Sequence, residues 1–573
     1  MLTALQLARF KAFGDLQRVP IKPITLIYGP NSAGKSSLIH SLILARQAAE
    51  TGELDVHRTP VGGDSVDLGG FRQYVHRRNA GERVEWAMEL DTSRFTGRLA
   101  TLLAAAKVVT ARVEVGLAHE EKKRKRFVLD PRTDKAIEIE EPTGEMVAVG
   151  QPAIQSFKLE ADSTPLLEMS RRPSGGFRLD RLHHGHAVFR EVIKAIVAAS
   201  TTTESLQPSD YEGLDKAIDA LVPDIVATCR GLLPDGLAKA EGPDSEKPPT
   251  LFPISKGRRQ EDLAAAVRFF VPRTIEELLK GVSQTVGFEL DRLHYLGPLR
   301  SYPPRHLAFA QHHDPNWIAG GGYAWDAVRR DGRVRAQVNE WLGAKNRLQT
   351  PYELTLRELV GVDQLETPIS EGIENHLGRE AEASKGPVEV ADDLEISRLP
   401  FPDLLDELLT AINSADIEKL DELILKDCRS NTVVSHRDVG IGISQVLPVL
   451  VSAYASQDRL VAIEQPEIHL HPKLQAELGD VFLESALGER RNTFLLETHS
   501  EHVLLRIMKR MRQMADGSLP EGLPKVRPED VAVLYVEPDG SRSIVREMPL
   551  NERGDLVKAW PGGFFEEGLD EMF

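Results

Sequence analysis

Three short stretches of this 573-residue chain carry the residue types that phosphate chemistry needs. The first, Gly29-Pro30-Asn31-Ser32-Ala33-Gly34-Lys35-Ser36, fits GxxxxGK[ST] in full and runs on into Ser37. An apolar run, ITLIY, precedes it and a helical pattern follows, the context in which such a loop binds phosphate. Its glycines let backbone N–H groups ring a phosphate, and the helix N-terminus adds partial positive charge. Lys35 would reach the β- and γ-phosphates and Ser36 would hold Mg²⁺. The second stretch, LVAIEQPEIHLHP at 460–472, is an apolar run ending in Glu464, Gln465, Pro466 and Glu467. Alone it reads equally as a core strand capped by an acidic turn. The third, TFLLETHS, ends another apolar run at Thr498-His499-Ser500. A phosphate loop with carboxylates for Mg²⁺ and water activation is what phosphoryl transfer to water requires. On these residues the chain reads as a nucleoside triphosphatase.

The elements that must position them are those of an α/β protein. Unbroken apolar runs suit strands buried on both faces of a parallel sheet, and acids at their carboxyl ends sit where open α/β sheets bind ligands. Between Gly52 and Gly185 the pattern changes. RVEWAMEL, ARVEVGL, AIQSFKLEA and PLLEMS alternate as half-buried antiparallel strands do. Residues 189–280 are largely helical in spacing, broken by AEGPDSEKPPTLFP, and 402–426 reads as a helical lid or arm. DRLHYLGPLR puts Arg300 at another strand end, where it either reaches phosphate or a site carboxylate, or forms a structural ion pair. Gln73 is a candidate nucleotide-sensing glutamine joining two lobes, and a candidate metal partner beside Ser36 and Glu464. The organisation expected is an N-terminal ATPase lobe over 1–185 and a helical insertion over 186–430. A C-terminal ATPase lobe over 431–573 closes on a hairpin turning at Asp539-Gly540.

Composition narrows the setting. A net charge of −17 argues against wholesale polyanion binding, although DNA in a local basic groove stays open. The basic run Lys122-Lys123-Arg124-Lys125-Arg126 is flanked by acids and reads as a solvated hairpin tip. Cys229 and Cys428 match no metal spacing, which points to a reducing cytoplasm. No apolar run reaches 18 residues, so no membrane partner is expected. His183, His184 and His186 lack the carboxylate or cysteine partners of a metal site. The 376–396 segment reads as an acidic loop, and His312-His313-Asp314 as a loop lacking a second ligand cluster.

GPNSAGKSS, IEQPEIHLHP and THS, with LARFKAFGD at the start, resemble the ABC-type AAA ATPases of the SMC, RecF and OLD group. YLGPLR, VGIGISQVLPVL and WPGGFF resemble a bacterial subgroup with an uncharacterised C-terminal domain. The resemblance covers both ends of the chain and is poor over 90–290. It implies an ABC-type ATPase head with a mixed sheet, an antiparallel β-subdomain and an inserted helical arm. Gly29 to Ser37 would hold ATP, Glu464 would partner Mg²⁺ through water, and His499 would sense the γ-phosphate. Gly440 and Gly442 would correspond to the signature motif that caps ATP bound by a second copy, making a homodimer or higher oligomer. Such a clamp regulates a separate effector protein or nucleic acid, as in antiphage systems such as Septu and Gabija. Two positions depart from the pattern. Gly440 stands where the signature serine is usual, leaving Ser444 to supply a hydroxyl. Gln465 stands where the catalytic Glu is usual, and an amide takes no proton from water near neutral pH. Either Glu467 takes over as base, or hydrolysis is slow and the ATP-bound clamp is a long-lived scaffold. A DNA-end-binding repair clamp is the other alternative. The tail after His499 lacks the Asp-x-Asp pair of a Toprim nuclease.

Overall fold

The structure, a computed structural model, describes residues 1–129, 136–172, 176–200, 208–238, 258–300, 316–344, 347–384, 401–415, 417, 419–434 and 441–561. The chain folds as mixed α/β, as its apolar runs predict. It divides into two compact units. One is built from Met1–Ser301, Asp314–Gly322 and Gln445–Phe573, and the other from Tyr302–His313 and Tyr323–Ser444.

The first unit holds two sheets. In the six-stranded one the order is Leu293–Leu296, Leu460–Glu464, Thr493–Glu497, Ile24–Tyr28, Val531–Asp539, Arg542–Glu547. The first five run parallel and the last turns back antiparallel. ITLIY, LVAIE and TFLLE are buried at every residue. That is the burial a parallel sheet covered on both faces imposes, and it explains why these runs lack polar alternation. Because the strands are parallel, their carboxyl ends share one edge. The phosphate loop, Glu464 and Glu497 all leave the sheet there. The hairpin closes with Asp539 opposite Arg542, Gly540 supplying a φ of 62°.

The second sheet of this unit has nine antiparallel strands, running in space from Pro234–Leu237 through Ala136–Ala161 and Val108–Leu129 to Leu2–Ala8 and Gln17–Pro20. The segments expected at 83–90, 111–117, 153–161 and 165–170 are all strands of it. The basic run differs from the reading of a hairpin tip. It lies within the strand Val108–Leu129, with Arg124 and Lys125 in register with Glu141 and Glu140. The 189–280 region expected to be largely helical holds helices Arg190–Ser200, Pro208–Leu221 and the 34-residue Arg258–Asp291, but also the strands Val226–Cys229 and Pro234–Leu237. His184 lies against Asp215 and Asp219, and His186 caps the backbone of Val188. Among the described residues no cluster of three or more metal-ligating side chains occurs. No described helix is long and apolar enough to cross a membrane.

The second unit carries helices Tyr323–Arg330, Gly332–Gly343, Glu366–Ser384 and Phe401–Ser414, and a three-stranded antiparallel sheet. The helical reading of 402–426 is correct only to Ser414; Lys419–Asp427 is a strand. Leu423 and Leu425 are buried on one side of it, and nine register pairs tie it to Tyr352–Val360. Cross-strand pairing overrides the helix propensity of its Leu, Glu and Lys residues. The first part of 376–396 is the end of the helix Glu366–Ser384 rather than a loop. His312 and His313 lie outside the described residues.

Candidate phosphate-binding site

The loop leaves the strand Ile24–Tyr28 in a conformation that only its glycines permit. Gly29 has φ 145°, and a Cβ there would stand 2.1 Å from the Val536 carbonyl oxygen. Gly34, at φ 95°, caps the helix Lys35–Thr51, and a Cβ on it would lie 2.6 Å from that of Ala12. Asn31 and Ser32 are exposed at the crest, Ser32 with φ 63°, while Ala33 is buried beneath. The Ser37 N–H donates to the Gly34 carbonyl at 3.0 Å, closing the first helical turn. Lys35 folds back, its ammonium donating to the carbonyls of Gly29 (3.0 Å) and Pro30 (2.9 Å). Burial lowers its pKa, against the pull of Glu497, Glu467 and Glu464.

Four acidic or imidazole groups stand on the neighbouring strand ends. Glu464 and Glu497 are register partners on adjacent parallel strands, so their side chains share a face. Glu464 Oε1 accepts from the Tyr295 hydroxyl at 2.9 Å and lies 3.1 Å from His40 Nε2. His40 Nδ1 in turn lies 3.0 Å from the Lys11 ammonium. The Ser36 side chain lies near enough to Glu497 to favour its charged form. Burial first, then the charge of Glu464, pushes its carboxyl up to about 7. Its Oε2 and the Nε2 of His499 are buried with no hydrogen-bond partner among the described residues. Buried polar atoms in native proteins are nearly always paired, so these two orphans, two residues apart in the chain, mark a place for a polar ligand. Burial and the nearby Lys35 depress the His499 pKa, holding its ring neutral.

Glu467 is only 8% exposed, and burial raises its pKa. One oxygen accepts from the Thr498 hydroxyl (2.8 Å), the other from the His499 backbone N–H (2.7 Å). The carboxylate thereby ties the turn after Glu464 to the turn after Glu497. Gln465 takes a left-handed φ of 48°, a conformation that costs a non-glycine residue about 1–3 kcal/mol. Its N–H donates to the Glu497 carbonyl at 2.7 Å and its carbonyl accepts from Arg300 at 2.9 Å. Arg300 also donates to the carbonyls of Glu464 and Gln445. Its cation thus buttresses backbone at this strand end. Tyr28 bonds the Ser500 carbonyl at 3.0 Å and meets Trp560 edge-on at 5.5 Å.

Gln73 is exposed on the short helix Phe71–Tyr74. With Lys11, Asp67, Gly69, Arg77 and Arg78 it lines an open cavity of about 630 Å³. Lys11, which lines that cavity, is also the partner of His40, which in turn contacts Glu464. Gly440 lies outside the described residues. Gly442 is half-buried in the helix Ile441–Tyr454, whose Ser444 is buried.

Sequence reasoning missed Glu497, His40, Tyr295 and Lys11 as members of the site. Glu497 had a signal: TFLLE ends as LVAIE does, an apolar run closing on Glu. The other three come from segments whose spacing says nothing of one another.

Residues 388–506 match the family described as an AAA domain, putative AbiEii toxin, Type IV TA system. Residues 526–573 match a family described as a protein of unknown function, DUF3696. Neither match reaches half of the chain. No curated protein matches it. Among solved structures, an SMC head bound to the C-winged helix domain of ScpA is 10% identical. It covers 96% of this chain and 98% of its own, with a TM-score of 0.32. A Pyrococcus furiosus Smc head with an extended coiled coil, bound to the C-terminal domain of ScpA, is 10% identical. It covers 100% of this chain and 98% of its own, with a TM-score of 0.31. The SMC head domain from Thermotoga maritima is 9% identical at TM-score 0.31, covering 96% of this chain and 99% of its own. The fold rests on the strand order above and takes no weight from these likenesses.

Proposed function

We propose that this chain is an ATPase of the SMC and OLD type that binds ATP with Mg²⁺ on Gly29–Ser37 and hydrolyses it. One observation carries the reading: a glycine-permitted loop, an inward-folded Lys35 and two unpaired buried polar atoms meet at one sheet edge. In this reading the loop's N–H groups and the helix N-terminus take the phosphates. Lys35 exchanges its two carbonyl partners for phosphate oxygens, and the Nε2 of neutral His499 contacts the terminal phosphate. Mg²⁺, held by Ser36 with Glu464, would neutralise charge on the phosphates. Gln465, pinned through its own N–H and carbonyl, orients water, and Glu467 acts through the turn that carries His499. A second copy would cap the nucleotide with Gly440 and Gly442, so that ATP closes a dimer controlling a partner effector or DNA. The description of the family matching 388–506, which names toxin–antitoxin systems, supports a defence setting.

A slowly hydrolysing scaffold is the second reading. It is favoured by the amide at Gln465 and by the commitment of both Glu467 oxygens to the turn. Phosphate release by the full chain and by Lys35→Ala separates these readings from none at all. Release that depends on Mg²⁺ and drops at least a hundredfold in Lys35→Ala is expected; equal release in both removes the ATPase claim. ATP-dependent dimerisation, read by light scattering, tests the clamp. Stimulation by DNA would identify nucleic acid as the partner.

A further inference from the structure

Glu464 ends its strand with one oxygen engaged and the other open. Oε1 accepts from the Tyr295 hydroxyl at 2.9 Å and lies 3.1 Å from Nε2 of His40. Oε2 accepts no hydrogen bond from the described residues, and it is not one of the polar atoms sealed from solvent without a partner. His40 belongs to the helix Lys35–Thr51, the one that the phosphate loop feeds. A single side chain therefore joins that helix to the acid at the end of Leu460–Glu464.

The direction of these bonds follows from Lys11, whose ammonium stands 3.0 Å from His40 Nδ1. An ammonium has only hydrogens to give, so Nδ1 accepts and Nε2 carries the ring's hydrogen toward Glu464. Burial lowers the Lys11 pKa, against the pull of Glu464 and Asp67. Lys11 takes a φ of 46°, a region that residues with a side chain rarely adopt, and both its backbone groups are engaged there. Its N–H donates to the Tyr74 carbonyl at 2.6 Å, and its own carbonyl lies 2.8 Å from His76 Nδ1. Filling space beside Glu464 would require neither this backbone nor a ring nitrogen as the partner of a lysine.

We propose that His40, oriented by Lys11, is a positioning residue that with Tyr295 holds Oε1 of Glu464, so that Oε2 is presented to the divalent cation of the bound nucleotide. The inference rests on the nucleotide reading above. A carboxylate that serves a metal is itself held by hydrogen bonds, and these set its orientation. Donors from the helix Lys35–Thr51 and the strand Leu293–Leu296 converge here on one oxygen. The helix that takes the phosphates thereby also sets the acid that takes the cation.

The probe is Mn²⁺ with a non-hydrolysable ATP analogue, titrated into the full chain and followed by electron paramagnetic resonance. Analogue binding in EDTA is measured beside it and reports folding. His40→Leu is expected to bind the analogue in EDTA within about threefold of wild type, while its Mn²⁺ affinity in the complex falls by about 10–100-fold. His40→Gln is the rescue. Its amide offers hydrogens to Glu464 and an oxygen to Lys11, so Mn²⁺ affinity should return to within about threefold of wild type. Mn²⁺ affinity within about threefold of wild type in His40→Leu overturns the proposal. So does a His40→Gln chain that binds Mn²⁺ as weakly as His40→Leu, since the ring would then matter only for the space it fills. If His40→Leu does not fold, His40→Asn decides, because its shorter amide keeps a polar group yet falls short of Glu464. It should bind Mn²⁺ at least about tenfold more weakly than His40→Gln, and equal affinity overturns the proposal. A wild-type chain that binds the analogue neither in EDTA nor with Mn²⁺ overturns the nucleotide reading itself, an outcome distinct from all of these.

Discussion

Glu467 can act as a base for water or as the clasp that holds His499, and substitution separates the two. Its oxygens accept one hydroxyl and one backbone N–H at 2.8 and 2.7 Å. Alanine would leave both donors buried without partners, at about 1–3 kcal/mol each. Removing a buried charge whose pKa is already raised by burial returns part of that cost, leaving a net loss of about 2–4 kcal/mol. Glutamine keeps one carbonyl oxygen for the His499 N–H, and its NH₂ can donate to Thr498 Oγ1 once that hydroxyl rotates. The expected loss is then about 1 kcal/mol or less, roughly one neutral hydrogen bond. Phosphate release at saturating Mg²⁺-ATP, read beside thermal unfolding, is the assay. A clasp predicts that Glu467→Gln retains turnover within about tenfold and melts within a few degrees of wild type. Glu467→Ala should fall a hundredfold or more and melt clearly lower. A general base is worth about 10²–10⁴ in rate. Should Glu467→Gln lose a hundredfold or more with its melting temperature unchanged, the clasp argument is refuted and the carboxylate is the base.

Three further outcomes follow from the same geometry. Gln465→Glu places a carboxylate on a backbone already held at its N–H and carbonyl, so phosphate release should rise tenfold or more; unchanged release would show that water is activated elsewhere. Gly29→Ala forces a Cβ against the Val536 carbonyl and should destabilise the first unit by about 2–4 kcal/mol. Nucleotide binding should be lost with it, as measured by denaturant unfolding beside analogue binding. Burial and Glu464 lift the Glu497 carboxyl from its ordinary 4.5 to about 7. The folded state therefore holds a proton there that the unfolded state has released. That contribution, at most on the order of 3 kcal/mol, is complete below pH 4.5 and lost as pH rises through 7. In EDTA, Glu497→Gln should abolish this part of the pH slope and melt above wild type at pH 8; parallel melting curves from pH 5 to 8 would contradict it.

The phosphate loop is legible in the sequence because its chemistry is local, with spacing, strand and helix all within some 25 residues. LVAIE and TFLLE are legible as buried strands because burial on both faces erases alternation. What joins them is not legible. The ladder position shared by Glu464 and Glu497 is set by pairing of strands far apart in sequence, and the bond from Tyr295 to Glu464 spans two segments unrelated in spacing. The strand at Lys419–Asp427 hides for a similar reason. Its Leu and Glu residues favour a helix until Tyr352–Val360 lies beside it. Glu467 could be picked out as an acid near the site. Only the distances to Thr498 and His499 show its oxygens engaged.

The place of Ile24–Tyr28 in its sheet bears on how the chain must be made. Both neighbours of this strand, Thr493–Glu497 and Val531–Asp539, come from the last fifth of the sequence. At 5–20 residues per second, a ribosome needs roughly 20–90 s between finishing the phosphate loop and supplying the first strand that covers it. For that interval ITLIY, an unbroken apolar β-former, has no permanent partner in its own sheet. Such segments seek other edges while they wait. The antiparallel strands that emerge sooner, or a chaperone, must shield it. A premature stop anywhere before Thr493 would therefore leave the loop made but unsupported, and its product would be prone to aggregate and not merely inactive.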